Sequence, residues 1–181
     1  MSEFSEIPKK YIAKFEKVSY EQFQKDMIDN FGSIIPNIEQ FITDSYANIQ
    51  LPKRATTGSA GYDFFAPFDI RIPAADSIII PTGIRCNIRE NFFLSVYPRS
   101  GLGFKYRAGL DNTVGIIDSD YYDAPNKGHI LIKIHHGLNE TVTIETGKAF
   151  AQGIFVEYGY TIDDDTDAER VGGFGSTTEN Q

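Results

Sequence analysis

Apolar positions follow two regimes along this chain. In the first, Tyr20, Phe23, Met27, Ile28 and Phe31 recur at the spacing of one helical face. Ser19 with Gln22 three places on fits a capping box, and Gly32 supplies a stop, so a helix is predicted over about 19–31. Its greasy face must pack on the main body or on a neighbouring chain. Ile38, Phe41, Ile42 and Tyr46, between Pro36 and Pro52, predict a second short helix over 37–49. From about residue 50 the period changes to two. Segments 63–66, 68–72, 77–81, 84–88, 92–97, 130–135, 142–145 and 150–158 read as strands, separated by Pro, Gly, Asn and Asp. Val114-Gly115-Ile116-Ile117 reads as the end of one more. So many short strands without helices between them predict an all-β sandwich, jelly roll or small barrel. The ends, 1–10 and 161–181, have the polarity and glycine content of loose tails.

Composition narrows this picture. The chain has 181 residues, enough for one domain with a real core. A formal net charge of −8 argues against a nucleic-acid binder that works by phosphate neutralisation. No apolar run approaches the roughly 18 residues of a membrane span, and a cytoplasmic, soluble protein is expected. The lone Cys86 sits between apolar neighbours and is expected in the core. His129, His135 and His136 make no metal spacing with one another.

Five stretches carry candidate chemistry. Val114–Ile117 breaks straight into Asp118-Ser119-Asp120-Tyr121, which sets a carboxylate and aromatic faces at a sheet rim, as base and sugar recognition needs, or is an ordinary solvated hairpin. Asp63, after the turn Ser59-Ala60-Gly61, is either a turn cap or a carboxylate that holds hydrated Mg²⁺ through water. Pro98-Arg99-Ser100-Gly101 joins a guanidinium, a hydroxyl and a glycine turn, a set suited to oxyanions or to a plain structural turn. Gln152 ends Gly147–Gln152, whose amide suits a phosphate or a water if it is more than a strand start. Arg170 to Thr177 spreads Phe174, Ser176 and Thr177 among glycines, as a flap that folds on binding requires, although a disordered tail reads the same way.

Taken together, AGYDFFA (60–66), PRSGL (98–102), GIIDSDY (115–121), GKAFAQ (147–152) and RVGGFGST (170–177) resemble, in order and rough spacing, the five motifs of the trimeric dUTP pyrophosphatases. The resemblance covers about residues 50–178. It implies an all-β jelly roll, a homotrimer with active sites shared between chains, and hydrolysis of dUTP to dUMP and pyrophosphate with Mg²⁺ by attack of water on the α-phosphorus. Carried over by position, it implies that Asp118 orients and deprotonates the water, and that Tyr121 lies under the deoxyribose and excludes a 2′-hydroxyl. The hairpin with Asn112, Gly115 and Ile117 reads uracil. Arg99, Ser100, Gly101 and Gln152 contact phosphates, and Asp63 supports the metal indirectly. Arg170, Phe174, Gly175, Ser176 and Thr177 form the closing arm. The implied layout is an N-terminal extension (1–50), a catalytic domain (51–160) and a C-terminal arm (161–181). The extension and the loop 122–128 have no family role, and either is a candidate surface for a regulatory protein. A dCTP deaminase on the same fold would need a glutamate where Lys133 stands.

Overall fold

The computed structural model describes residues 11–167, 170 and 172. In chain order its elements are β1 (Ala13–Lys17), α1 (Tyr20–Phe31), α2 (Ile38–Asn48), β2 (Lys53–Arg54), β3 (Tyr62–Phe65), β4 (Ile70–Ile72), β5 (Ser77–Pro81) and β6 (Ile84–Ile88). Then come β7 (Phe92–Pro98), α3 (Ser100–Tyr106), β8 (Gly109–Leu110), β9 (Gly115–Ile117), a 3₁₀ turn (Ser119–Asp123), β10 (Leu131–His135), β11 (Val142–Ile144) and β12 (Ala149–Glu157). The architecture is the β jelly-roll type expected, with two helices added at the start.

Both predicted N-terminal helices are present. Ser19 Oγ accepts the Gln22 N–H at 3.2 Å, the first half of the capping box. Gly32 caps α1 in a right-handed conformation, φ −58°, so no left-handed glycine stop operates there. The apolar stripe of α1 buries Phe23, Met27 and Phe31 against the body of this same chain. At about 1.5–3 kcal/mol for each fully buried large side chain, that face contributes roughly 5–9 kcal/mol before ordering entropy is charged against it.

The longest strand, β12, organises the main sheet, whose order is β2-β3-β12-β7-β9. Its two edges pair antiparallel with β3 and β7, and a bulge at Phe150 shifts the register to β3 between Ala149 and Ala151. After the bulge Gln152 faces Asp63 on one side and Tyr97 on the other. The smaller sheets are β5-β10-β8, β4-β11 and β1-β6. Strand β10 alternates cleanly, with Ile132 and Ile134 buried and Lys133 and His135 outward. Phe64, Ile70, Ile72, Ile80, Leu94, Ile134 and Phe150 meet in the core, joined by Phe23, Met27 and Ile42 from the helices.

Among the elements that differ from the pattern expected are β1 and α3. Strand β1, sequence AKFEK, has too few apolar residues to show alternation. It exists because β6 offers an edge, on which Ala13 to Lys17 pair with Ile88 to Ile84, and because Phe15 packs on Tyr62, Phe64 and Phe155. Ser100-Gly101 was expected as a glycine turn and instead opens the seven-residue helix α3. Two glycines lowered its helix propensity, but Leu102 is buried beneath it and Arg107, at φ 51°, ends it.

Candidate active site

Strands β8 and β9, which pair with β10 and β7 respectively, frame the predicted hairpin segment, whose tip is Asp111 to Val114. Thr113 stands at φ 63°, a left-handed conformation that is costly for a β-branched residue, and the Val114 N–H closes over it onto Asn112 O at 2.6 Å. Below the tip Gly115 lies opposite Val96 on β7, where a Cβ would come within 3.2 Å of the Val96 Cβ. The hairpin, β10 and the 3₁₀ turn enclose a cavity of about 370 Å³. Asn112, Gly115, Ile117, Tyr121 and Arg170 all line it, so the structure brings these five predicted residues together.

A 3₁₀ turn stacks residues i and i+3, and the Tyr121 N–H bonds to Asp118 O at 3.2 Å. Asp118, in an extended conformation, is the N-cap of the turn that carries Tyr121. Tyr121 is buried, and its hydroxyl donates to His129 O at 2.9 Å while accepting from Asn126 Nδ2 at 2.7 Å. Burial pushes the phenol above its ordinary pKa. Gly128, at φ 70°, closes this loop, and a Cβ there would lie 2.8 Å from Tyr122 O.

Of the arm residues expected to touch nucleotide, Arg170 is among those described. Its guanidinium bridges two carboxylates, bonding Asp118 through Nη2 and Asp120 through Nε at 2.7 Å, with its Cζ 5.8 Å from the centre of the Tyr121 ring. Sequence reading missed Asp120, because an acid in a polar turn carries no signal until its partner, fifty residues on, is placed beside it. It also missed Asp111. Lys133 at 2.6 Å, and His135 at 2.8 Å, hold that carboxyl below the ordinary carboxylate range. Lys133 is thus committed to a carboxylate and offers none of its own, as the deaminase reading would require.

The remaining predicted residues form a second cluster. Arg99 Nη1 bonds Asp63 Oδ2 at 2.9 Å, and Asp63 is buried. Gln152 sits opposite Asp63, with its Nε2 3.4 Å from Pro98 O. Ser100 and Gly101 open α3 beside Arg99, and a Cβ at Gly101 would meet nothing within 4 Å among the described residues. The β7-β9 register ends with Ile117 opposite Leu94, and Asp118 continues from there towards the level of Phe93, whereas Arg99 follows the far end of β7. Six residues of strand separate those two points, roughly 20 Å. Phe174, Gly175, Ser176 and Thr177 lie outside the described residues.

Among the described residues no cluster of three or more His, Cys, Asp or Glu could cage a metal. Asp63 has Oδ2 bonded to Arg99, and a lone carboxylate of this kind suits a hydrated Mg²⁺ held through water better than a full cage. Cys86 is buried, and burial pushes its thiol up to about 12, so it is inert core. His129 and His136 are buried and hydrogen-bonded, and His135 is paired with Asp111. A larger cavity, about 970 Å³, lies beneath α1 and α2 and holds none of the predicted site residues. No helix among the described residues is long and apolar enough to cross a membrane.

A β jelly roll here carries a glycine-backed loop, an aspartate followed by a buried tyrosine, and an arginine–amide cluster on the same sheet, residue types suited to a flat ring and to oxyanions. Comparison with known proteins makes this specific. The dUTPase family model matches residues 47–178. The deoxyuridine 5′-triphosphate nucleotidohydrolase of Lactococcus lactis is 38% identical over 134 residues, covering 72% of this chain and 89% of its own. That of Tolumonas auensis is 40% identical over 135 residues, covering 70% and 86%. The crystal structure of dUTPase from Streptococcus mutans superposes with a TM-score of 0.62 at 30% identity, over 83% of this chain and 98% of that one. A dUTPase of phage phi11 of S. aureus, described with a structural Mg(II) ion, shares the fold at a TM-score of 0.56 and 20% identity, over 67% and 92%. This chain belongs to the dUTPase family.

Proposed function

We propose that this protein hydrolyses dUTP to dUMP and pyrophosphate, which limits uracil in DNA and supplies dUMP for dTMP synthesis. The observation that carries the reading is the meeting of Asn112, Gly115 and Tyr121 around one cavity, with Asp118 capping the 3₁₀ turn that carries Tyr121. The hairpin, held by main-chain hydrogen bonds, presents fixed donors and acceptors to a flat base, so a cytosine edge leaves buried groups unpaired. Tyr121 packs under the sugar, and a 2′-hydroxyl would have to displace a ring anchored at both its backbone and its hydroxyl.

The oxygen of a water attacks the α-phosphorus while the bond from that phosphorus to the bridging oxygen breaks, and pyrophosphate leaves. Asp118 holds this water and takes its proton, a role worth about 10²–10⁴ in rate. Arg99, Ser100 and Gln152 bind phosphate oxygens, with Asp63 aligning Arg99 and Gly101 leaving room for close approach. Asp63, acting through water, would help to hold a Mg²⁺ ion, which would supply charge neutralisation at the phosphates. Arg170 bonds both Asp118 and Asp120. Phosphate oxygens replace those carboxylates on the guanidinium and release Asp118 to its water, while Phe174 covers uracil and Gly175, Ser176 and Thr177 follow onto the nucleotide.

Because the Asp118 and Arg99 clusters stand roughly 20 Å apart along one strand, a single nucleotide is best served by clusters from different chains of a homotrimer. Mixing Asp118→Asn and Arg99→Ala chains, each inactive alone, tests this. Random trimers restore about one quarter of the sites, since each site draws its aspartate and its arginine independently. No recovery after subunit exchange means each chain carries a whole site. Incubation of the wild-type protein with each nucleoside triphosphate and Mg²⁺ tests the chemistry, with dUMP and pyrophosphate expected from dUTP alone.

A further inference from the structure

We propose that the segment ahead of the family match is a positioning device for Tyr121, with Asp26 on α1 as the positioning residue and Glu16 on β1 as a second hold. The inference rests on the reading of Tyr121 as the sugar-facing ring.

The connection runs through His129. The Tyr121 hydroxyl donates to His129 O, and Asn126 Nδ2 donates to both that carbonyl, at 3.0 Å, and the Tyr121 hydroxyl. The ring is therefore only as well placed as the His129 backbone. The His129 side chain is fully buried, and its Nε2 lies 2.7 Å from the Gly83 N–H. That N–H can only donate, so Nε2 is the acceptor and the ring's proton sits on Nδ1. Nδ1 lies 2.5 Å from Asp26 Oδ2, which also accepts from Gln22 Nε2 at 2.8 Å. One carboxylate from α1 thus selects the tautomer and the orientation of the imidazole that anchors the loop.

A buried carboxylate is an expensive choice where an apolar side chain would pack. Burial alone would raise its pKa, but the bonds from His129 and Gln22 outweigh that and keep it below the ordinary range. What the carboxylate supplies that packing cannot is direction. At the other end of the loop the Tyr122 hydroxyl donates to Glu16 at 2.6 Å, and the Arg85 guanidinium, itself 3.2 Å from Glu16, stacks 3.8 Å from the Tyr122 ring centre. The loop between Tyr121 and His129 is thereby gripped at both ends by residues before 47, the first position of the family match.

The experiment pairs two readouts on Asp26→Ala, Asp26→Asn and Tyr122→Phe. Hydrogen exchange of residues 121–129 reads the grip without reference to catalysis. Steady-state kinetics with dUTP and UTP reads its consequence. In Asp26→Ala exchange of this loop accelerates, and the ratio of kcat/KM for dUTP over UTP falls about tenfold or more, the cost of misplacing a positioned group. Asp26→Asn, which still accepts from Nδ1, restores most of the ratio. Tyr122→Phe leaves the core closed and lowers the ratio less, which keeps the proposal testable should Asp26→Ala fail to fold. An unchanged ratio in folded Asp26→Ala or Tyr122→Phe, or no rescue by asparagine, overturns it. A wild-type protein that does not favour dUTP overturns the functional reading instead, and the exchange data still decide whether the grip exists.

Discussion

Asp118→Asn separates the two tasks assigned to one carboxylate. As general base Asp118 is worth about 10²–10⁴ in rate, and an amide cannot take the proton. As tether for the arm it is worth far less. Its side chain is 46% exposed, Arg170 keeps its 2.7 Å bond to Asp120, and asparagine still accepts a hydrogen bond. Exposed ion pairs contribute about 0–1 kcal/mol, which limits the effect on nucleotide affinity to roughly fivefold. The expected result is kcat reduced by on the order of 10²-fold or more with KM moved by less than about fivefold. Measurement of pyrophosphate release from dUTP at saturating Mg²⁺ gives both parameters. A variant that keeps kcat within about threefold while KM rises by 10²-fold or more would falsify the base assignment and leave Asp118 as a tether only.

Tyr121→Ala removes the ring beneath the sugar, so UTP should become a substrate, and discrimination as sharp as that of wild type would count against steric exclusion. The Glu16 carboxyl is held down to about 2 from 4.5, chiefly by Lys14 and then by Tyr122. A depressed folded pKa means its contribution is whole above 4.5 and is lost as pH falls toward 2. The difference in urea midpoint between wild type and Glu16→Gln should therefore shrink across that window; a gap constant with pH refutes the pairing. Cys86, buried and with its thiol pushed up to about 12, should react with a thiol reagent only after unfolding, and labelling of the native protein at the rate of an open thiol would contradict its core position. Gly128→Ala should cost about 1–3 kcal/mol in chemical denaturation, because φ 70° and the 2.8 Å approach to Tyr122 O leave no room for a methyl group; an unchanged midpoint would show that the loop relaxes freely.

Periodicity alone sufficed for α1, α2 and the long strands, since a helix or strand that buries one face must write that face into its residue order. The five motifs were also readable, and Asp118 caps the 3₁₀ turn that carries Tyr121. Three things were decided only by folding. Strand β1 has little pattern of its own and forms because β6 presents an open edge. Helix α3 forms against its glycines because Leu102 has a place to be buried. The contacts Arg170 to Asp120 and Asp26 to His129 join residues 50 and 103 positions apart, and no local pattern marks either. Local order sets which residues can lie on a face. Which faces then meet depends on burial and on the pairing of buried charge, and those are properties of the whole chain.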